Sequence, residues 1–268
     1  MIDPDLAKLR HRIDNIDNQI ISLLAQRMDV VDEVAALKRA NNEGIFIKSN
    51  READMIKDIV SKLENRYPKS HIVAIWRKII AAANLHEQKV RIGLLNPQNI
   101  PDYRYLINEY YSRDFAIDSY NDYSMLISNL ESNKINIAIL PIPKISIQDN
   151  WWQLLINSKI KIFAKLPFVK DKNNNHELFC LAIKDVKPSY SDRTILYLES
   201  LSSINQETIK RILKDNKINS PFLLTQYSND ILYDVDGYYD ERSNIMLDFK
   251  ENNFKATILG HYATPIDL

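Results

Sequence analysis

Residues 3–42 read DPDLAKLRHRIDNIDNQIISLLAQRMDVVDEVAALKRANN, and the spacing of their apolar side chains decides the fold of the N-terminal third. Apolar residues recur at steps of three and four, as on one face of a helix: Leu6, Leu9, Ile13, Ile16, Ile20, Leu23, Val30, Val34 and Leu37. Asp3 suits the N-cap, Pro4 suits the first turn, and Asn41 and Gly44 are expected to end the helix. The pattern predicts one long helix that packs along a continuous seam.

One position of this seam carries a charge. Between Leu23 and Val30 the seam residue is Arg27, and burying a guanidinium without a partner is costly. An anionic ligand would compensate it, and so would an internal ion pair with Glu33 or Glu52. Spacing alone leaves both explanations open.

Two further helices follow. Ser49 is placed to cap a second helix over about residues 51–65, and a third helix is expected after Ser70. Glu87 continues the apolar stripe of the third helix, four residues after Ala83. A single glutamate on such a stripe is more often structural than functional, but it is a second ionisable group on an apolar face.

Helix geometry relates the three cations of the first helix. Lys38 follows Arg27 by eleven residues, which places it on nearly the same face, roughly 16 Å along the axis. These two side chains can bind one small anion. Arg10 precedes Arg27 by seventeen residues, roughly 25 Å away and about 100° round the axis. If Arg10 serves the same site, it must therefore come from a second subunit.

Composition limits the other functions. Thirty-five basic residues balance thirty-five acidic ones, so no overall charge favours nucleic acid or an anionic membrane as a partner. The single cysteine, Cys180, forms no internal disulfide, and the N-terminus does not resemble a signal peptide, which favours a cytoplasmic protein. The four glycines form no phosphate-binding loop. No cofactor or metal is predicted.

Several segments together resemble the all-helical chorismate mutases. Residues 9–17, 23–27 and 34–38 are similar to the first helix of that family, and Arg51-Glu52 and residues 79–88 are similar to its second and third helices. The resemblance covers about residues 5–90. We therefore predict a three-helix chorismate mutase domain over residues 1–90, followed by a smaller α/β region.

The resemblance implies an intertwined helical homodimer with two shared active sites, each binding chorismate. It implies that Arg27 of one chain and Arg10 of the other hold the two substrate carboxylates. It also implies that Arg51 and Glu52 lie near the ring hydroxyl. The shared site agrees with the separation of Arg10 and Arg27 along one helix.

The same resemblance assigns Lys38 to the ether oxygen and a carboxylate, and Glu87 to the ether oxygen. The rearrangement of chorismate to prephenate is pericyclic, so it depends on positioning and on stabilising charge at the breaking C–O bond. Glu87 donates a hydrogen bond only when it is protonated. We therefore predict that activity falls as pH rises and that Glu87→Gln flattens this dependence.

Two residues depart from the family pattern. Lys48 stands where several members have an aspartate, and Ala83 stands where some have a serine that faces a carboxylate. Contacts to the hydroxyl and to one carboxylate therefore differ from the family pattern. A pyruvate-lyase activity on isochorismate, known on the same helical scaffold, stays open.

The rest of the chain alternates short apolar strands with helical segments, which predicts an α/β region. Residues 91–142 resemble the opening lobe of prephenate dehydratases. Residues 176–197 resemble the passage from that lobe into a ligand-sensing ACT domain. We predict a degenerate dehydratase-like lobe over residues 91–187 and an ACT-like domain over residues 188–268.

The dehydratase chemistry is expected to be missing. The family's Thr-Arg-Phe signature is Glu177-Leu178-Phe179 in this chain, and its glycine-rich loop is Asn96-Pro97-Gln98-Asn99. The C-terminal region is thus predicted to be non-catalytic, with an aromatic amino acid as a candidate effector. The alternatives are a bifunctional mutase and dehydratase, or a dimerisation module joined to a ligand-binding domain. Trp151-Trp152 is either part of a ligand pocket or, as is more common for such a pair, core.

Overall fold

The computed structural model describes residues 4–41, 44–63, 67–144, 150–170, 175–202 and 204–267. Three helices come first: α1 (Pro4–Ala40), α2 (Ser49–Lys62) and α3 (Lys69–Glu87). An α/β region follows them, so the predicted fold class is confirmed. The predicted cap at Asp3 lies outside the described residues.

Most of the apolar seam of helix α1 is exposed to solvent. Among the described side chains of this helix, only Val31 and Ala35 are buried. All predicted seam residues except Val34 are exposed, with 43% to 66% of their surface accessible to solvent. A contiguous apolar surface of this length is typical of a contact between proteins. Within the described chain, α1 packs against α3 and leaves most of the predicted seam without a cover.

The boundaries of α2 differ from the prediction. Lys48 takes the N-cap position without a side-chain capping bond, and the Ser49 hydroxyl instead donates to the Phe163 carbonyl oxygen at 2.8 Å. The helix ends at Lys62 rather than near residue 65, because Leu63 has an extended backbone. Helix α2 is thus fixed to the α/β region at its first turn.

The α/β region contains nine strands and four helices within the described residues. The strands are β1 (Arg91–Leu95), β2 (Ala116–Tyr120), β3 (Ile137–Pro141), β4 (Ile160–Leu166), β5 (Leu178–Ile183), β6 (Asp192–Ser200), β7 (Phe222–Tyr227), β8 (Asp230–Asp236) and β9 (Phe254–Ala263). The helices are α4 (Pro101–Tyr110), α5 (Tyr123–Glu131), α6 (Gln206–Asp215) and α7 (Asn244–Glu251), with a short 3-10 helix at Trp151–Leu155.

These strands form a single sheet in the order β2-β1-β3-β5-β4-β9-β6-β8-β7. The sheet continues from one predicted segment, 91–187, into the other, 188–268, where Ile162 of β4 pairs with Gly260 of β9. A Cβ atom at Gly260 would lie 2.1 Å from the Ile162 carbonyl oxygen, and the φ of Gly260 is +151°. Only glycine permits this approach. The domain boundary at 187/188 stays a prediction.

Helices α2 and α3 lie against this sheet and share its core. The buried side chains that join them include Ile47, Ala53, Ile56, Val73, Ile80, Ile92, Ile139, Phe163 and Cys180. A second core packs elsewhere on the sheet and contains Trp151 and Trp152, which are both buried. The core interpretation of the tryptophan pair is therefore confirmed.

Candidate active site

A cavity of about 410 Å³ lies between the three N-terminal helices. Its lining residues are Arg27, Val30, Val31, Val34, Lys38, Phe46, Lys48, Arg51, Glu52, Met55, Ile80, Ala83, Asn84 and Glu87. Five of the six residues predicted for the site therefore meet in one chain. The sixth, Arg10, is exposed on α1 and does not line the cavity.

Lys38 and Glu87 form an ion pair across the cavity. The side chains are 13% and 8% exposed, so the pair is largely shielded from water. The Lys38 Nζ atom also donates to the Phe46 carbonyl oxygen at 3.1 Å and lies 5.2 Å from the centre of the Phe46 ring. Helices α1 and α3 thus bring the predicted catalytic pair together.

Arg27 and Arg51 direct cationic side chains to the same cavity. Arg27 is half-buried and Arg51 is exposed, and neither makes a hydrogen bond or ion pair within the described residues. The internal pair suggested for Arg27 with Glu52 is not formed, because Glu52 is engaged elsewhere. Both guanidinium groups therefore remain free to bind an anion.

Glu52 belongs to a buried network that sequence reasoning missed. Its Oε2 atom accepts from Arg77 Nη1 at 3.2 Å, and its Oε1 atom accepts from Asn84 Nδ2 at 3.0 Å. Arg77 and Asn84 are seven residues apart, so they lie on the same face of α3. This buried face also holds Val73 and Ala81 and is turned round the helix from the apolar stripe that the spacing predicts, so no pattern in the sequence pointed to Arg77.

The cavity wall is cationic overall. Four cations line it, namely Arg27, Lys38, Lys48 and Arg51, against the two carboxylates of Glu52 and Glu87. Arg77 adds a further positive charge directly behind Glu52. Such a local excess attracts an anion even though the chain as a whole is neutral. Lys48 and Ala83, the two departures from the family pattern, both line this cavity.

A second cavity, of about 620 Å³, lies in the α/β region. Its charged wall residues are already paired: Lys165 with Glu177 at 2.7 Å, and Arg193 with Asp234 at 2.6 Å. Tyr262 also donates to Asp234, and burial raises the pKa of this phenol well above its ordinary value. Glu177, the residue at the expected threonine position, thus lies in a cavity wall and holds a lysine.

The described ranges offer neither a metal cluster nor a membrane span. No group of three or more His, Cys, Asp or Glu side chains in them is placed to hold a metal ion. No helix in them is long and apolar enough to cross a bilayer.

Comparison with known proteins finds a family match in the helical part. Residues 9–88 match the chorismate mutase type II family. The predicted resemblance is thereby confirmed for the three helices, which hold the smaller cavity. The mutase match includes every predicted site residue, from Arg10 to Glu87.

Curated relatives share this N-terminal part. A bifunctional chorismate mutase/prephenate dehydratase of Stutzerimonas stutzeri is 30% identical over 97 residues, which are 35% of this chain and 27% of the relative. The enzyme of the same name from Buchnera aphidicola subsp. Schizaphis graminum (strain Sg) is 27% identical over 158 residues, 52% of this chain and 40% of the relative. The chain thus matches less than half the length of either relative.

Solved structures resemble the α/β region only distantly. A prephenate dehydratase from Streptococcus mutans has a TM-score of 0.45 and 14% identity, covering 66% of this chain and 100% of that chain.

Proposed function

We propose that the chain is a chorismate mutase that rearranges chorismate to prephenate. One observation carries the proposal: Arg27, Lys38, Arg51 and Glu87 line a single cavity inside the segment that matches the mutase family. The cavity is cationic, as a dicarboxylate substrate requires. The reaction needs only positioning and electrostatic stabilisation, both of which these side chains supply.

The proposed mechanism begins with binding. Arg27 and Arg51 are free to bind carboxylate or hydroxyl groups, and their contacts would hold the substrate in its compact reactive shape. Lys38 would then donate to the ether oxygen, where negative charge develops as the C–O bond breaks. Since Lys38 is paired with Glu87 in this structure, binding requires the ammonium group to share its hydrogen bonds between Glu87 and the substrate.

Glu87 is proposed to act in its protonated form, so that substrate binding replaces its ion pair with Lys38 by a neutral hydrogen bond. A protonated carboxyl group donates to the ether oxygen, whereas a carboxylate would repel the developing charge. Its place beside Lys38 and in the cavity wall supports a position near that oxygen.

The active unit is proposed to be a homodimer with two shared sites. The exposed apolar seam of α1 supports this, because a second copy would cover it. Arg10 lies on the same helix, about 25 Å from Arg27. In the dimer, Arg10 of one copy would complete the cavity of the other and bind a substrate carboxylate.

The C-terminal region is proposed to regulate the mutase, with an aromatic amino acid as effector. A bifunctional mutase and dehydratase is the second candidate, and the comparisons favour it over a C-terminal region without catalysis. Both relatives carry the bifunctional name, and the Buchnera match is longer than the span 9–88. One observation opposes the bifunctional enzyme: Glu177 occupies the position of the expected catalytic threonine and is ion-paired with Lys165.

Product identification separates these functions. The purified full chain is incubated with chorismate at neutral pH, and the products are resolved without acid treatment. Prephenate alone supports the mutase, prephenate followed by phenylpyruvate supports the bifunctional enzyme, and no conversion supports the dimerisation module. A parallel incubation with isochorismate tests the lyase activity, which would release pyruvate. Repeating the assay with phenylalanine or tyrosine tests the effector.

A further inference from the structure

Arg77 connects the mutase cavity to the α/β region. It lies on α3 with 4% of its surface exposed, and its Nη1 atom donates to Glu52 in the cavity wall. Its guanidinium carbon lies 3.9 Å from the centre of the Tyr110 ring and 4.6 Å from that of Phe168. Tyr110 is the last residue of α4, and Phe168 follows β4. One side chain thus contacts both parts of the chain.

We propose that Arg77 is a positioning residue of the mutase site, and that Tyr110 and Phe168 of the α/β region hold it in place. In this way the α/β region determines where the Glu52 carboxylate stands in the cavity. The inference rests on the proposed mutase function, because it concerns the same cavity.

Electrostatics explains why Glu52 needs this partner. Its side chain is only 8% exposed, and a carboxylate buried to this extent is stable only when it is paired. Arg77 neutralises it from behind, while the carboxylate oxygens keep unused lone pairs for a ligand hydroxyl. Without Arg77, an uncompensated negative charge would face a cavity that must accept a dianion.

The rings of Tyr110 and Phe168 explain why the residue that pairs with Glu52 is an arginine. A planar guanidinium stacks on aromatic faces, which an ammonium group does less well. The Arg77 Nη2 atom makes no hydrogen bond within the described residues. The orientation of the guanidinium therefore depends on its contact with Glu52 and on the two rings.

A purely structural role for Arg77 predicts different kinetics. Loss of packing alone lowers the melting temperature and the active fraction, and so lowers apparent kcat, but it leaves KM of the folded enzyme unchanged. Misplacement of Glu52, or exposure of its charge to the substrate, raises KM. Comparing the change in KM with the change in kcat therefore distinguishes a positioning role from a purely structural one.

The test measures KM and kcat for chorismate in the full chain and its variants. Arg77→Gln is expected to raise KM about tenfold, since a charge-assisted hydrogen bond is lost. Arg77→Lys restores the charge without the stacking and should raise KM less. Phe168→Leu leaves every mutase helix intact and should still raise KM about threefold.

Two further variants make the test specific. In a Glu52→Gln background no charge needs compensation, so adding Arg77→Gln should change KM less than about twofold. Lys78→Ala is the matched control, because this neighbouring lysine bonds α3 to the Asn108 carbonyl oxygen at 2.6 Å without touching Glu52. It should keep the KM of the unaltered chain.

The outcomes are separable. Suppose that the unaltered chain converts chorismate and that Arg77→Gln has the same KM as the unaltered chain: the inference is then wrong and the proposed function stands. If Arg77→Gln does not fold, an unchanged KM of Phe168→Leu leads to the same conclusion. If Arg77→Gln raises KM equally in the unaltered chain and in the Glu52→Gln background, the effect does not act through Glu52, and the inference is again wrong. Absence of any conversion by the unaltered chain overturns the proposed function, and this inference with it.

Discussion

Lys38 and Glu87 lie 49 positions apart in the chain and form an ion pair in the wall of the cavity between the three N-terminal helices. The pair joins the last turn of α1 to the last residue of α3. In the proposed mechanism, these two ionisable groups lie beside the oxygen on which negative charge develops.

The protonation of Glu87 is open to a direct test. If Glu87 donates a hydrogen bond only when protonated, kcat of the unaltered chain falls as pH rises, because deprotonation removes the donor. Glu87→Gln carries a neutral donor at every pH, so its profile should be flat over the same range. The measurement is kcat against pH for both proteins, and the same slope in both would exclude this role.

Sharing of the site between subunits predicts complementation. Arg10→Ala and Lys38→Ala chains should each be nearly inactive, but a mixed dimer contains one site with both residues intact. Random exchange of equal amounts should therefore restore about a quarter of the activity of the unaltered dimer. Arg12→Ala, a neighbouring exposed arginine, is the control and should remain active alone. If mixing restores nothing, each site lies within one chain.

If the exposed seam of α1 is the dimer contact, a charged residue in it should prevent dimer formation. Ile16 is 55% exposed in the single chain and lies mid-seam, so Ile16→Lys would bury a charge at the contact. We expect sedimentation to show a monomer and activity to fall with it. Leu201→Lys is the control, since Leu201 is 66% exposed in the α/β region. A dimeric Ile16→Lys chain would argue against this interface.

Cys180 is predicted to be unreactive in the folded protein. It is fully buried on β5, and burial raises the pKa of its thiol to about 12. The nucleophilic thiolate is therefore scarce at neutral pH and shielded from reagents. A thiol reagent should modify the chain only after denaturant unfolds it. Rapid labelling of the native protein would mean that this part of the sheet opens.

Much of the helical domain could be predicted from the sequence because local periodicity determines it. The three-and-four spacing located α1, and the eleven-residue spacing of Arg27 and Lys38 placed both on one cavity wall. The helix itself was predicted correctly, but the side chains that α1 buries within the described chain, Val31 and Ala35, lie outside the predicted seam. Burial of the seam by a second chain stays a prediction. The exposure of the seam in one chain appears only in three dimensions.

Contacts between distant segments could not be predicted in this way. Nothing local to Arg77 indicates that Tyr110 and Phe168 stack on it, because these rings reach it through the fold of the sheet. Ser49 was expected to cap α2 but bonds to Phe163 for the same reason. The Lys165–Glu177 pair likewise depends on β4 and β5 being neighbours.

The most direct test of the central claim is the rate of prephenate formation from chorismate by the purified chain, compared with its Lys38→Ala variant. We predict that the unaltered chain forms prephenate and that the variant loses at least about 100-fold in kcat, as expected when a transition-state donor is removed. Lys69→Ala, an exposed lysine at the start of α3, should keep full activity. No prephenate from the unaltered chain, or equal rates for Lys38→Ala, would contradict the account.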